Sequence, residues 1–166
     1  PDTIYENFEC IVFHMTDLPF GRGGSPLQNL IVRGFKSTKL SALKVENGID
    51  TGDIYLKKDL NLDGTAKEIF ERSNPIIFEM IRKIIDEKII PTPQIGKITA
   101  FKRRSIKDND ISNLENLCEI YDYIRMLDED SYPKAFYESE LFKFEFSKAK
   151  LLNDNEISAN VRIIKK

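Results

Sequence analysis

Two segments of this 166-residue chain carry side chains that can move a proton. The first is Phe8-Glu-Cys-Ile-Val-Phe-His14, an apolar, β-rich run that ends in the one histidine of the sequence. It runs straight into Met15-Thr-Asp-Leu-Pro-Phe-Gly-Arg-Gly-Gly-Ser-Pro-Leu-Gln28. The second is Asn47-Gly-Ile-Asp-Thr-Gly-Asp53, with Asp50 at its centre. A strand that delivers an imidazole into a Pro/Gly loop and a turn that delivers a carboxylate are two halves of an acid–base site. An imidazole can hydrogen-bond a developing oxyanion, and a neighbouring carboxylate favours the charged form of the ring. Both residues also have a plainer reading. A strand-end histidine can simply bond to backbone, and aspartates stabilise turns. Asp53 is the rival carboxylate, with a structural reading.

The elements that must position these groups follow from pattern. Pro19, Gly21, Gly23 and Gly24 argue against regular structure over 15–24. Ser25-Pro-Leu-Gln28 reads as a helix start, with Ser25 as cap, Pro26 at the first helical position and Gln28 completing a capping box. Leu27, Leu30 and Ile31 give that helix an apolar face, and Gly34 ends it. Strands are expected over 39–45 and 53–57. Asn47-Gly48 marks a tight turn between them, so Asp50 falls in or just after that turn. Thr65-Ala-Lys-Glu68 is a capping box that opens a helix to about Arg72. Pro75 then starts or kinks a second helical stretch striped by Ile77, Met80, Ile81, Ile84 and Ile85. Ile90-Pro-Thr-Pro-Gln94 reads as a linker. Beyond it come a strand over 97–104 and a helix capped by Ser112 and Glu115, with Leu114, Leu117, Tyr121, Ile124 and Leu127 on one face. A hairpin of 135–138 with 141–147 and an alternating strand over 157–163 complete a β-rich unit from about residue 95. The Phe142, Phe144, Phe146 row reads as a core face, with base stacking as the other reading.

Composition narrows the function classes. Hydrophobic residues are 41% and charged residues 31%, as in an ordinary folded protein. The net charge of −2 argues against wholesale binding to nucleic acid or an acidic membrane. Residues 1–90 hold 12 basic and 14 acidic side chains and residues 91–166 hold 13 of each, so neither half is a basic arm. No apolar run approaches the ~20 residues of a membrane span, no signal peptide is visible, and a cytoplasmic setting is expected. Cys10 and Cys118 read as buried thiols. No His, Cys and carboxylate cluster has ligand spacing, so no metal is expected. The chain opens on Pro1 rather than methionine, which points to a piece of a longer protein. Gly21-Arg-Gly-Gly24 lacks the Gly-Lys-Ser/Thr ending of a phosphate loop. It reads as backbone that approaches a ligand, or as a tight turn. Arg22 contacts an acceptor phosphate or is solvated.

Taken in order, these segments resemble the folate-dependent formyltransferases, in particular methionyl-tRNA formyltransferases and their amino-sugar N-formyltransferase relatives. In that family a strand ends in Asn-x-His, and a Ser-Leu-Leu-Pro loop, an Arg-Gly pair and a Pro-containing helix start follow. Here His14-Met-Thr-Asp-Leu-Pro19, Arg22-Gly23 and Ser25-Pro-Leu-Gln28 occupy that frame. The family's Asp-x-Gly signature matches Gly48-Ile-Asp-Thr-Gly-Asp53. Tyr121-Asp-Tyr-Ile-Arg-Met-Leu127 and Tyr132-Pro-Lys-Ala-Phe136 resemble the start of its OB-like C-terminal domain. The likeness spans about residues 4 to 150. Two departures stand out: the family's Rossmann-like N-terminal half, which supplies part of its folate pocket, is absent, and Val12 occupies the position of the family's asparagine. Asn29 or the backbone of the 21–25 loop is then the expected replacement oxyanion donor.

The resemblance implies an α/β fold. The C-terminal half of a Rossmann-like formyltransferase catalytic domain would span 1–92, and a small OB-like β-rich C-terminal domain 93–166. It implies transfer of a formyl group from 10-formyltetrahydrofolate to a primary amine through a tetrahedral species bearing an oxyanion. By resemblance His14 and Asp50 are catalytic, Arg22, Gly23, Ser25 and Gln28 meet the acceptor, and Val45, Gly48 and Ile49 meet the folate. The acceptor amine sits on methionyl-tRNA or on a nucleotide-linked amino sugar. A non-catalytic binding module related to these enzymes is the reading from another class. Lys102-Arg103-Arg104 is a solvated face or a tRNA contact. The oligomeric state stays open.

Overall fold

A computed structural model describes residues 2–166. In chain order its elements are α1 (Asp2–Tyr5), β1 (Ile11–His14), β2 (Phe20–Gly23), α2 (Pro26–Ile31), β3 (Ser37–Lys44), β4 (Ile54–Asn61) and α3 (Ala66–Asp86). Next come β5 (Thr99–Phe101), a 3₁₀ turn (Ile106–Asn109), α4 (Leu117–Arg125), β6 (Ala135–Glu138), β7 (Phe142–Asn153) and β8 (Glu156–Lys165).

β1, β3 and β4 form an antiparallel sheet in the order β1-β3-β4, with His14 opposite Ser41. Strand alternation sends β3's Leu40 and Ala42 to one face, where they pack with Tyr55, Met80 and Ile84. Leu43 turns the other way and packs with Leu18 and Ile54. His14 shares its strand face with Val12, two residues back, while Ile11 and Phe13 join the cluster that includes Met80 and Ile84 of α3.

The helix over the sheet is one element rather than two. The Thr65/Glu68 capping box forms as expected, but the helix runs through Pro75 to Asp86. Buried Ile69 and Ser73 before the proline and Met80 and Ile84 after it hold the helix down on both sides, in two clusters that both contact Ile76, which outweighs the lost backbone donor. The expected stripe is also displaced: Ile81 and Ile85 are exposed.

Other expectations need correction. Residues 20–23 form a strand despite their glycines, because β2 pairs in parallel with β5 from the distant linker side. The strand expected over 97–104 is only Thr99–Phe101, and Lys102-Arg103-Arg104 follows it. The hydroxyl of Ser112 is occupied by Asp110 Oδ1, so Asn116 caps α4 instead and accepts from the Glu119 N–H at 2.9 Å. Cys118 is exposed and Cys10 half-buried, and both are free.

β6, β7 and β8 form an antiparallel sheet in that order. Ala135 and Phe146 pack into a core shared with Leu27, Leu30, Leu60, Ile69, Phe101 and Ile124, while Phe142 at the strand start is exposed. One core therefore joins residues from both sides of position 92. Arg125, buried in α4, reinforces the union. It pairs with Asp122 at 2.6 Å and donates to the carbonyls of Leu62 and Gly64 at 2.7 and 2.8 Å. Among the described residues no helix is long and apolar enough to cross a membrane, and no three His, Cys, Asp or Glu side chains are grouped to hold a metal.

Candidate active site

The strand β1 ends at His14, and its ring is fixed from two sides. Nε2 lies 2.8 Å from the Gly21 carbonyl oxygen. A carbonyl only accepts, so Nε2 carries a hydrogen and donates it. Nδ1 then faces Asp50, whose Oδ2 is 3.5 Å away. The two side chains are 8% and 15% exposed. The histidine and carboxylate, 36 positions apart in sequence, thus lie side by side.

Asp50 does not sit in a two-residue turn. β3 ends at Lys44 and β4 starts at Ile54, so a nine-residue loop carries it. The loop closes through Lys44 N–H to Asp53 O at 2.9 Å and Val45 N–H to Cys10 O at 2.8 Å. Asp50 itself has φ 53°, a left-handed conformation that non-glycine residues adopt at a cost unless their surroundings hold them there. Its Oδ2 accepts the Gly23 N–H at 2.8 Å, which ties the loop to β2. Gly52 is required for this path: a Cβ there would lie 1.9 Å from the Lys44 carbonyl oxygen.

Gln94, which the sequence reading left in a linker, completes the arrangement. Its amide nitrogen donates to the carbonyls of Asp50 and Gly52 at 2.9 and 2.8 Å. Its Oε1 accepts from Arg22 Nε and Nη2 at 3.1 and 2.8 Å. Arg22 is therefore not simply solvated: its Nε and Nη2 serve Gln94, which leaves Nη1 for a further contact. The signal for Gln94 lay in its flanks. Pro91 and Pro93 frame Thr92, which bridges to Ile54 with two backbone bonds of 2.8 and 2.9 Å.

Other sequence candidates fall in two places. Arg22 and Gly23 adjoin the His14–Asp50 site, and Val45, Gly48 and Ile49 lie on the Asp50 loop, with Ile49 74% exposed. Ser25 and Gln28 line a different cleft of about 380 Å³, with Met15, Phe70, Arg104 and Leu127 among its walls. The capping box expected of them does not form. Ser25 is left-handed and makes no side-chain cap, its oxygen accepts from the Arg104 N–H at 3.1 Å, and Gln28 donates to Met126 O at 3.2 Å. Three of the replacement oxyanion donors, Asn29 and the N–H groups of Gly23 and Gly24, are engaged too. The Asn29 amide is spent on the carbonyls of Gly24, Ser25 and Lys102 at 2.9–3.0 Å. The N–H groups of Gly23 and Gly24 go to Asp50 and to Phe101 O.

Comparison with known proteins fits this geometry. Residues 106–164 match the family model described as the C-terminal domain of methionyl-tRNA formyltransferase. A methionyl-tRNA formyltransferase from Wolinella succinogenes is 26% identical over 147 residues, covering 85% of this chain and 47% of the relative. The chain spans about half or less of the length of the first curated relatives it matches. The solved structure of methionyl-tRNA formyltransferase from Clostridium thermocellum is 54% identical, with a TM-score of 0.97 over all of this chain and 73% of that one. HypX from Aquifex aeolicus, solved with tetrahydrofolic acid, shares the fold at a TM-score of 0.74 and 15% identity, covering 90% of this chain and 27% of that one. The α/β class with a C-terminal formyltransferase domain is thereby borne out. By its likeness to the Clostridium thermocellum protein, this chain belongs to the methionyl-tRNA formyltransferase family.

Proposed function

We propose that the full chain transfers a formyl group from 10-formyltetrahydrofolate to the primary amine of methionyl-tRNA. The observation that carries this reading is the Nδ1 of His14 facing the Asp50 carboxylate at 3.5 Å, with Nε2 already committed to Gly21. When bound, the donor supplies the formyl carbon and the oxygen on which charge develops. His14 would act through Nδ1, the nitrogen not tied to a carbonyl, while Asp50 orients the ring and takes the proton that leaves the amine as it bonds to the formyl carbon; that proton returns to the folate nitrogen as its bond to the formyl carbon breaks. Val12, on the His14 face of β1, is 39% exposed, and Ile49 beside Asp50 is open. Both leave apolar surface that suits a pterin ring. Val45, Gly48 and Ile49 are its proposed contacts and Arg22, Gly23, Ser25 and Gln28 those of the acceptor. The same reading takes 1–92 and 93–166 as two units that pack on one shared core, and the cytoplasm as the setting.

The test is His14→Ala in the full chain, assayed for formyl-methionyl-tRNA. Turnover is expected to fall by two orders of magnitude or more, as for removal of an oxyanion donor, with melting unchanged. Unchanged turnover would strike His14 from the mechanism. Salt separates acceptors: tRNA binding weakens steeply with added salt, whereas a nucleotide-linked amino sugar responds mildly. A non-catalytic binding role is the second reading. It is favoured by Val12 at the family's asparagine position and by the prior engagement of Asn29. It requires that the full chain bind no folate in calorimetry.

A further inference from the structure

We propose that Gln94 is a positioning residue for the reaction, the strap that holds the Asp50 carboxylate against His14. The inference rests on the function proposed above and assigns a role to a segment that otherwise reads as a linker. Four hydrogen bonds carry it. One amide nitrogen reaches two carbonyls of the catalytic loop, Asp50 O and Gly52 O, at 2.9 and 2.8 Å. The amide oxygen takes both bonds from Arg22 of β2, at 3.1 and 2.8 Å. Arg22 is next to Gly23, whose N–H holds the Asp50 carboxylate at 2.8 Å. Gln94 therefore closes a ring: β2 to Asp50 through Gly23, and Asp50 back to β2 through Gln94 and Arg22. A side chain that only donates or only accepts cannot make both sets of bonds, so the amide is chemically specified. The segment delivering it is itself fixed by the Thr92–Ile54 bridge. Gln94 is half-buried and touches neither ring nitrogen of His14 in this arrangement, so its effect passes through Asp50.

The test uses Gln94→Glu and Gln94→Met in the full chain. The first keeps the shape and the acceptor for Arg22 but turns the donor into an oxygen facing two carbonyls. The second keeps the length and loses every bond. Each is expected to lower kcat about tenfold or more, equivalent to roughly 1.4 kcal/mol of barrier, with KM for the folate donor within about twofold. The ring ¹⁵N resonances of His14, assigned by their loss in His14→Ala, report on the dyad without any assay. They are expected to move in both variants in the same sense as in Asp50→Asn. A variant with wild-type kcat, or with lowered kcat and unmoved ring resonances, overturns the inference. So does loss of cooperative melting in both, which would make Gln94 a folding residue. If instead the full chain forms no formyl-methionyl-tRNA while the Gln94 variants still shift the ring, the proposed reaction fails and the strap stands.

Discussion

Asp50→Asn gives the sharpest test of the dyad. The substitution keeps size and leaves an amide oxygen able to accept the Gly23 N–H that Oδ2 now takes at 2.8 Å, so the loop has reason to stay in place. What it removes is a full negative charge 3.5 Å from Nδ1 of His14. At an effective dielectric constant of about 20, two unit charges at that distance attract by roughly 5 kcal/mol. Both side chains retain some solvent contact, 8% and 15%, and water screens part of this. A loss of about half, 2–3 kcal/mol, is expected for a transition state in which the ring carries charge. That converts to a fall in kcat of about 30- to 150-fold. KM for the folate donor is expected to hold within about twofold, since the charge acts on the reacting atoms rather than on binding. Steady-state formyl transfer to methionyl-tRNA, with the variant's melting curve alongside, is the assay. A raised KM with intact kcat would mean that Asp50 only shapes its loop, and the electrostatic argument would be wrong.

Two further outcomes are expected. Gly52→Ala places a Cβ 1.9 Å from the Lys44 carbonyl oxygen, so the loop must shift; a loss of about 1–3 kcal/mol in denaturant stability and a drop in kcat should follow together, and a variant with wild-type values for both would show that the loop path is not constrained there. Tyr55 is pushed up to about 12, first by burial and then by the 2.8 Å bond from its hydroxyl to Glu9. A raised folded value contributes stability that is fully present below the free tyrosine value of about 10 and is lost as pH rises through about 12. A tyrosinate absorbance titration should therefore show a late component that disappears in Tyr55→Phe; its persistence would assign it elsewhere.

Much of the site was legible because its chemistry is local. His14 at a strand end, Asp50 in a glycine-flanked loop and the Thr65 capping box are each written within a few residues. The misses share one cause, competition from distant partners. Ser25 and Gln28 carry the right residue types for a capping box, yet Arg104 and Met126 claim them. Ser112 and Glu115 are spaced for a cap, yet the Ser112 hydroxyl goes to Asp110 and α4 begins one turn later at Asn116. Residues 20–23 look irregular until β5 arrives to pair with them.

The amino-acid order by itself determined which side chains could carry a proton, most of the helices and strands, and the family frame that links them, because hydrophobic period, capping and turn chemistry act over a few residues. Only the tertiary structure decided that Nε2 of His14 is bound to Gly21 and Nδ1 is turned to Asp50, that Arg22 serves Gln94, and that Asn29 is spent on three carbonyls. A side chain's free donors and acceptors are whatever its neighbours in space leave over. Those neighbours are set by how the three sheets and α3 pack, which no short window of sequence contains.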